Sequence, residues 1–327
     1  MAAISPQQSP IAEKAPQRNS RRSKAKYGTF LLKDLLRNKY IYLMAVPVLL
    51  YYILFCYGPM YGAIIAFKDF SPAKGILGSP WTGLRHFEEF FSSFYFLRIF
   101  VNTITINVYS LLFGFPIPII LAILLNEIRS SWYKRTVQTI TYLPHFISIM
   151  VVCGLIIDFC GRTGLVSDII AFLGGERENL LMKPELFQPI FVGTSIWQEM
   201  GWNSIVYLAA LAAIDSQLYE AATMDGAGRW RKIWNVSLPG IMPTIIILLI
   251  LRMGSMMNVG FEKIILLYTP TTYETADVIS SFVYRKGLQN FSFSASAAVG
   301  LFNSLINFAL LLAANWISRK TNETSLW

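Results

Sequence analysis

Residues 241–261 read IMPTIIILLILRMGSMMNVGF, an apolar run interrupted by a single charge, Arg252. A helix rises about 1.5 Å per residue, so roughly 20 such residues cross the ~30 Å hydrocarbon core of a bilayer. Stretches of the same character lie near 40–62, 99–125, 137–160, 187–213 and 295–317. None alternates apolar with polar residues as a barrel strand does. Backbone groups in lipid must be satisfied within the spanning segment, so helices are the expected structure. Of the 327 residues, 54% are hydrophobic and 14% charged, whereas a soluble domain carries about a quarter charged residues. A cytosolic enzyme and a nucleic-acid-binding domain are thereby excluded. Cys56, Cys153 and Cys160 all fall in or beside apolar runs and form no C-x-x-C pair. They read as free thiols, with no disulfide framework or metal site.

The net charge of +9 is an orientation signal. With the N-terminus inside, the cytoplasmic segments carry 17 of the 28 Lys and Arg against 7 acids. The outer segments carry 10 against 12, with Arg252 inside a span. The positive-inside rule then predicts an all-α polytopic membrane protein of six spans with both termini cytoplasmic. Residues 1–38 form a basic disordered tail rather than a signal peptide, and 39–98 hold the first span and an extracytoplasmic interfacial segment. Phe87, Phe90, Phe91, Phe94 and Phe96 are expected on a helix lying at the lipid boundary. Residues 99–320 form the core transmembrane domain, and 321–327 a cytoplasmic end.

No chemistry-bearing motif appears. There is no phosphate-binding loop, nucleophile elbow or H-E-x-x-H, and His86 and His145 are far apart. The chain is expected to be neither an enzyme nor a cofactor or metal binder, so energy must come from a partner or an ion gradient. The informative segment is 219–239, YEAATMDGAGRWRKIWNVSLP, within a cytoplasmic loop spanning 215–240. It reads as a short helix, a glycine break, a second amphipathic helix and a proline opening span five. Small residues permit close backbone approach, and exposed Trp and Arg are typical contact residues.

This segment resembles the EAA loop of ABC importer membrane subunits, matched by Glu220, Ala221, Ala222, Gly226, Leu238 and Pro239, with Val236 where Ile is usual. The likeness runs over about residues 40–320. Tyr142–Ser148, Val259–Glu262, Tyr273–Ile279 and Ser325–Trp327 are similar to the polysaccharide and oligosaccharide branch, which contains the LplB-like and alginate-importer permeases. The resemblance implies a type I importer permease in the bacterial cytoplasmic membrane. It also implies a second homologous permease, a cytoplasmic ATPase dimer holding ATP and Mg, an extracytoplasmic solute-binding protein and an oligosaccharide substrate, with no nucleic acid. Glu220 would then face a basic group of the ATPase, Ala221 and Ala222 would allow close approach, and Gly226, beside Asp225, would make the turn.

Charges deep in a span mark function when they are paired or face water. Glu199 and Arg252 both fall near the midplane and are expected to pair with each other or to line a polar cavity. Trp197, Asn203 and Asn258 join them as pathway candidates, since aromatic faces stack on sugar rings and amides satisfy hydroxyls. Membrane lipid surrounds the whole. The competing reading is an ion-gradient-driven secondary transporter, which requires inverted repeats and interrupted spans; no convincing repeat is visible between the halves.

Overall fold

The computed structural model describes residues 37–322, side chains to 320, so the basic tail and Ser325–Trp327 lie outside the described residues. The chain divides after Gly62 into two units. The first contains most of helix α1, Lys39–Phe67. Up to Tyr61 nearly all its apolar side chains are exposed, Leu43 at 67% and Phe55 at 68%, the signature of a helix whose solvent is lipid.

The second unit is built from α2 (Arg85–Phe91), α3 (Tyr95–Glu127), α4 (Ser131–Tyr142), α5 (Ile149–Cys160), α6 (Leu165–Phe172), α7 (Pro184–Ala212), α8 (Ser216–Met224), α9 (Arg229–Gly254), α10 (Phe261–Leu267), α11 (Ile279–Tyr284) and α12 (Phe293–Asn322). There is no strand among the described residues; Lys68 and Trp81 form one isolated bridge. Five helical runs are long and apolar enough to cross a membrane: α1, α3, Ile149–Phe172, α9 and α12. The 29-residue α7 is long enough at about 43 Å but is more polar.

Two expected spans end elsewhere. The stretch 137–160 is not one helix: α4 stops at Tyr142, a tight turn occupies Leu143–Phe146, and α5 starts at Ile149. Pro144 has no N–H to continue the ladder, and Ser148 adopts an extended ψ of 139°. The stretch 241–261 ends its helix at Gly254, leaving a turn before the separate α10. In α3 the ladder widens over Ser110–Gly114, just before Pro116 and Pro118, where the proline rings clash with the preceding turn.

Three apolar clusters hold the unit together. Ala122 of α3, Tyr207 and Leu211 of α7 and Ile241 of α9 form one. Val152 and Ile156 of α5, Phe187 and Phe191 of α7 and Ile264 of α10 form another. The third corrects the expectation for the Phe-rich stretch. Phe90 is only 5% exposed; Phe96 packs edge-on to Phe90 and Phe91 at centroid distances of 5.1 and 5.2 Å, and Phe302 of α12 packs edge-on to Phe90, Phe91 and Phe96 at 5.2–6.3 Å. Of the five phenylalanines, Phe94 is largely free at 85% exposure. The spacing signalled aromatics on a helix face but could not tell lipid from protein as the neighbour.

A polar knot ties α3 to the segment before α11. Asn102 Nδ2 donates to the carbonyls of Glu274 and Asp277 at 2.8 and 3.0 Å, and Ile279 N–H donates to Thr103 Oγ1 at 3.0 Å. The fully buried Asp277 accepts from Ser281 Oγ at 2.7 Å and pairs with Arg285 Nη2 at 2.6 Å. Burial alone would lower the Arg285 pKa, but its hydrogen bond and charge pairing with Asp277 hold it above the ordinary value.

Candidate functional site

The 215–240 segment folds as the predicted helix, glycine break and second helix, for local reasons, except that the second helix runs unbroken past Pro239 into the span, Arg229–Gly254. Asp215 caps α8 by accepting from Gln217 N–H at 2.9 Å. The helix ends where Gly226 takes φ +74°. Ala227 N–H reaches Ala222 O at 2.8 Å and Gly226 N–H reaches Thr223 O at 3.0 Å, the paired bonds of a Schellman end, which needs a residue tolerant of positive φ. Lys232 Nζ donates to Thr223 Oγ1 at 2.7 Å, and the Tyr219 and Ser237 hydroxyls lie 3.0 Å apart. The two helices are therefore braced against each other.

Glu220, Ala221, Asp225 and Gly226 are exposed, Ala222 and Leu238 half-buried, and Pro239 is exposed at the start of the apolar part of α9. Beside them Met224, Trp230 and Trp234 are exposed at 88%, 73% and 65%. Arg229, Arg231 and Lys232 add positive charge to the same turn. A braced pair of helices presenting indoles and guanidinium groups has the chemistry of a contact surface.

A cavity of about 760 Å³ opens between α3, α7, α9 and α10. Of the pathway candidates, Glu199, Asn203, Arg252 and Asn258 line it, while Trp197 does not and is 42% exposed elsewhere on α7. The expected pairing of Glu199 with Arg252 is not formed. His145 Nδ1 donates to Glu199 Oε2 at 3.1 Å. Its ring stacks on Trp202 with centroids 4.4 Å apart and planes within 4°. The turn at Pro144 is what carries His145 to α7, so the break in the third span and the partner of Glu199 have one cause. Arg252 is exposed on the cavity wall, and among the described residues no carboxylate lies within ion-pair distance of it.

Asn258 Oδ1 accepts from Asn303 Nδ2 at 3.0 Å and Asn307 Nδ2 at 3.2 Å, while Met257 N–H donates to Asn307 Oδ1 at 2.8 Å. These bonds fix the turn that ends α9. Lys263, missed by the sequence reading, also lines the cavity. It is 5% exposed, its Nζ donates to Ser195 Oγ at 2.7 Å and to Phe191 O at 3.3 Å, and it sits 5.0 Å from the centre of the Phe191 ring. With span five read as running to 261, Lys263 counts as an outer-loop charge; the early turn at Gly254 folds it back into the bundle. The wall thus offers two cations, two carboxylates, amides and an indole, a lining suited to a polyhydroxylated ligand.

The family described as binding-protein-dependent transport system inner membrane component matches residues 114–323. The chain is 44% identical over 300 residues to the polygalacturonan/rhamnogalacturonan transport system permease protein YteP of Bacillus subtilis strain 168, covering 91% of this chain and 93% of that protein. It is 44% identical over 301 residues to protein LplB of the same organism, covering 92% and 95%. A crystal structure of the bacterial alginate ABC transporter in complex with alginate pentasaccharide-bound periplasmic protein superposes with TM-score 0.84 at 45% identity, over 90% of this chain and 99% of the other.

Proposed function

The chain belongs to the family of binding-protein-dependent transport system inner membrane components; from that premise we propose that it takes an oligosaccharide from an extracytoplasmic binding protein and passes it across the bacterial cytoplasmic membrane, driven by ATP hydrolysed on separate subunits. It is a multi-pass permease of the ABC importer class, not an ion-gradient-driven secondary transporter. One observation supports the coupling half of the reading above the others. The chain holds a braced, exposed helix pair at 216–237 and a polar cavity lined by α7, which leads into that pair, and by α9, whose first turns are its second helix.

In this reading six helices span the membrane, α7 being the one of lower hydropathy, with both termini cytoplasmic. Residues 215–240 are the coupling segment. Glu220 meets a basic group of an ATPase dimer that holds ATP and Mg. Ala221 and Ala222 let the partner's backbone approach, and Asp225 and Gly226 shape the turn. Leu238 and Pro239 transmit displacement into α9. A second, homologous permease completes the pathway. Closure of the ATPase dimer presses the coupling segments together and tilts the spans so that the cavity opens outward, and hydrolysis resets it. Glu199, Asn203, Arg252 and Asn258 supply sugar contacts from the wall. Trp197, being off the wall, is assigned to helix packing instead. No cofactor is assigned to this chain. The named substrates of similar transporters, polygalacturonan/rhamnogalacturonan and alginate, point to an oligosaccharide.

The test is ATP-driven uptake in proteoliposomes holding the assembled importer. Gly226→Asp and Glu220→Lys abolish uptake while leaving membrane insertion intact, and normal uptake in both variants at verified expression would overturn the assignment.

A further inference from the structure

Where α3 begins, a second cavity of about 210 Å³ is walled by Tyr95, Arg98, Tyr273, Phe282, Arg285 and Lys286. Each cation in it rests over an aromatic ring. The Arg98 guanidinium is 5.2 Å from the Tyr95 ring centre, that of Arg285 is 5.2 Å from Tyr273, and Lys286 Nζ is 5.8 Å from Phe282. Among the described residues the only carboxylate paired with any of the three is Asp277, which is fully buried and committed to Arg285 and Ser281. Arg98 Nε is buried without a hydrogen-bond partner. Cations confined together with one acid repel each other, and an unmade bond on a buried charged donor is costly. The lining of the cavity therefore has the chemistry of an anion site.

We propose that this cavity binds the carboxylate of a uronosyl residue in the incoming oligosaccharide, making Arg98 and Lys286 determinants of selectivity for acidic sugars. The proposal rests on the reading of the chain as an oligosaccharide importer permease. Guanidinium groups match carboxylates with two parallel hydrogen bonds. Aromatic walls suit the C–H face of a pyranose ring, which a bare phosphate or an aspartate side chain does not offer. Arg98 and Asn107 lie on one helix nine residues apart, two and a half turns or about 14 Å, so the small cavity and the large one, which Asn107 lines, sit on opposite faces of α3. The large cavity balances Arg252 and Lys263 against Glu199 and Glu262, so discrimination by charge falls to the smaller one.

The experiment measures binding of trigalacturonate and of neutral galactotriose to the detergent-solubilised importer, with and without its binding protein, for the wild type, Arg98→Gln and Lys286→Gln. Each substitution weakens trigalacturonate binding about tenfold, the worth of one charged hydrogen bond, and leaves galactotriose unchanged. Lys286→Gln carries the test if Arg98→Gln fails to assemble. Unchanged trigalacturonate affinity overturns the proposal. So does a loss seen only with the binding protein docked, which reassigns the cavity to a protein carboxylate, or only when phosphatidylglycerol is present, which reassigns it to a lipid phosphate. Uptake by the wild-type importer separates the two readings. If ATP drives no oligosaccharide uptake, the importer reading fails; if uptake proceeds and both variants keep the wild-type preference for acid over neutral sugar, only the cationic site fails.

Discussion

The helix pair at 216–237 and the polar knot around Asp277 put their key side chains in opposite places. In the pair, the backbone is fixed by local caps and the side chains that matter point outward, with Trp230 and Met224 nearly free. In the knot, the side chains are the fixings: Asp277, Ser281 and Thr103 are fully buried and bind segments about 175 residues apart in sequence. One region is a surface on a local scaffold and the other a scaffold made of long-range polar contacts. Mutation should therefore separate transport from stability at the first and hit stability at the second.

The contrast is sharpest at Asp277→Ala, which leaves Arg285 without its carboxylate. The loss expected is about 3 kcal/mol, at the low end for a broken buried pair because Arg285 is 22% exposed. Thermal unfolding of the purified complex reads it, and an unchanged melting temperature would remove the knot from the account. Next comes Gly201→Ala. A Cβ there would lie 2.1 Å from the Thr141 carbonyl oxygen, so α4 and α7 must separate, at a cost of about 1–3 kcal/mol. A stable, fully active variant would mean the two backbones do not touch.

At the helix pair, Gly226→Ala places a Cβ at φ +74° and costs about 1–2 kcal/mol, felt locally in the turn. Uptake should fall while the global melt moves little, and equal losses in both would erase the distinction between the regions. Smallest in stability is Trp230→Ala, within about 0.5 kcal/mol because the side chain is 73% exposed. Uptake should nonetheless drop at least about tenfold if the indole anchors a partner. A shift in the melt with normal uptake would break the comparison from its other side.

How legible each region was in the sequence follows from the same contrast. The 215–240 segment is contiguous, so its first helix, the glycine break and the second helix could be read in order, while the continuity of the second helix through Pro239 could not. The cavity is assembled from four helices, and periodicity carries no information about which polar residues meet. Glu199 and Arg252 were legible as charges within apolar runs, but their partners were not. His145 reaches Glu199 only because Pro144 breaks the span. Lys263 hid beyond the expected end of a helix that in fact stops at Gly254. Trp197 shares a helix with Trp202, yet only Trp202 faces the cavity, a matter of helix rotation that sequence spacing alone left open.

The contact of Gly201 with Thr141 has a mechanical side. With no side chain between the two backbones, that point has nothing to compress. It divides α7 into arms of 17 residues toward Pro184 and 11 toward Ala212, about 26 and 17 Å. Any tilt of α7 about this fulcrum moves the Pro184 end roughly one and a half times as far as the end that leads into α8.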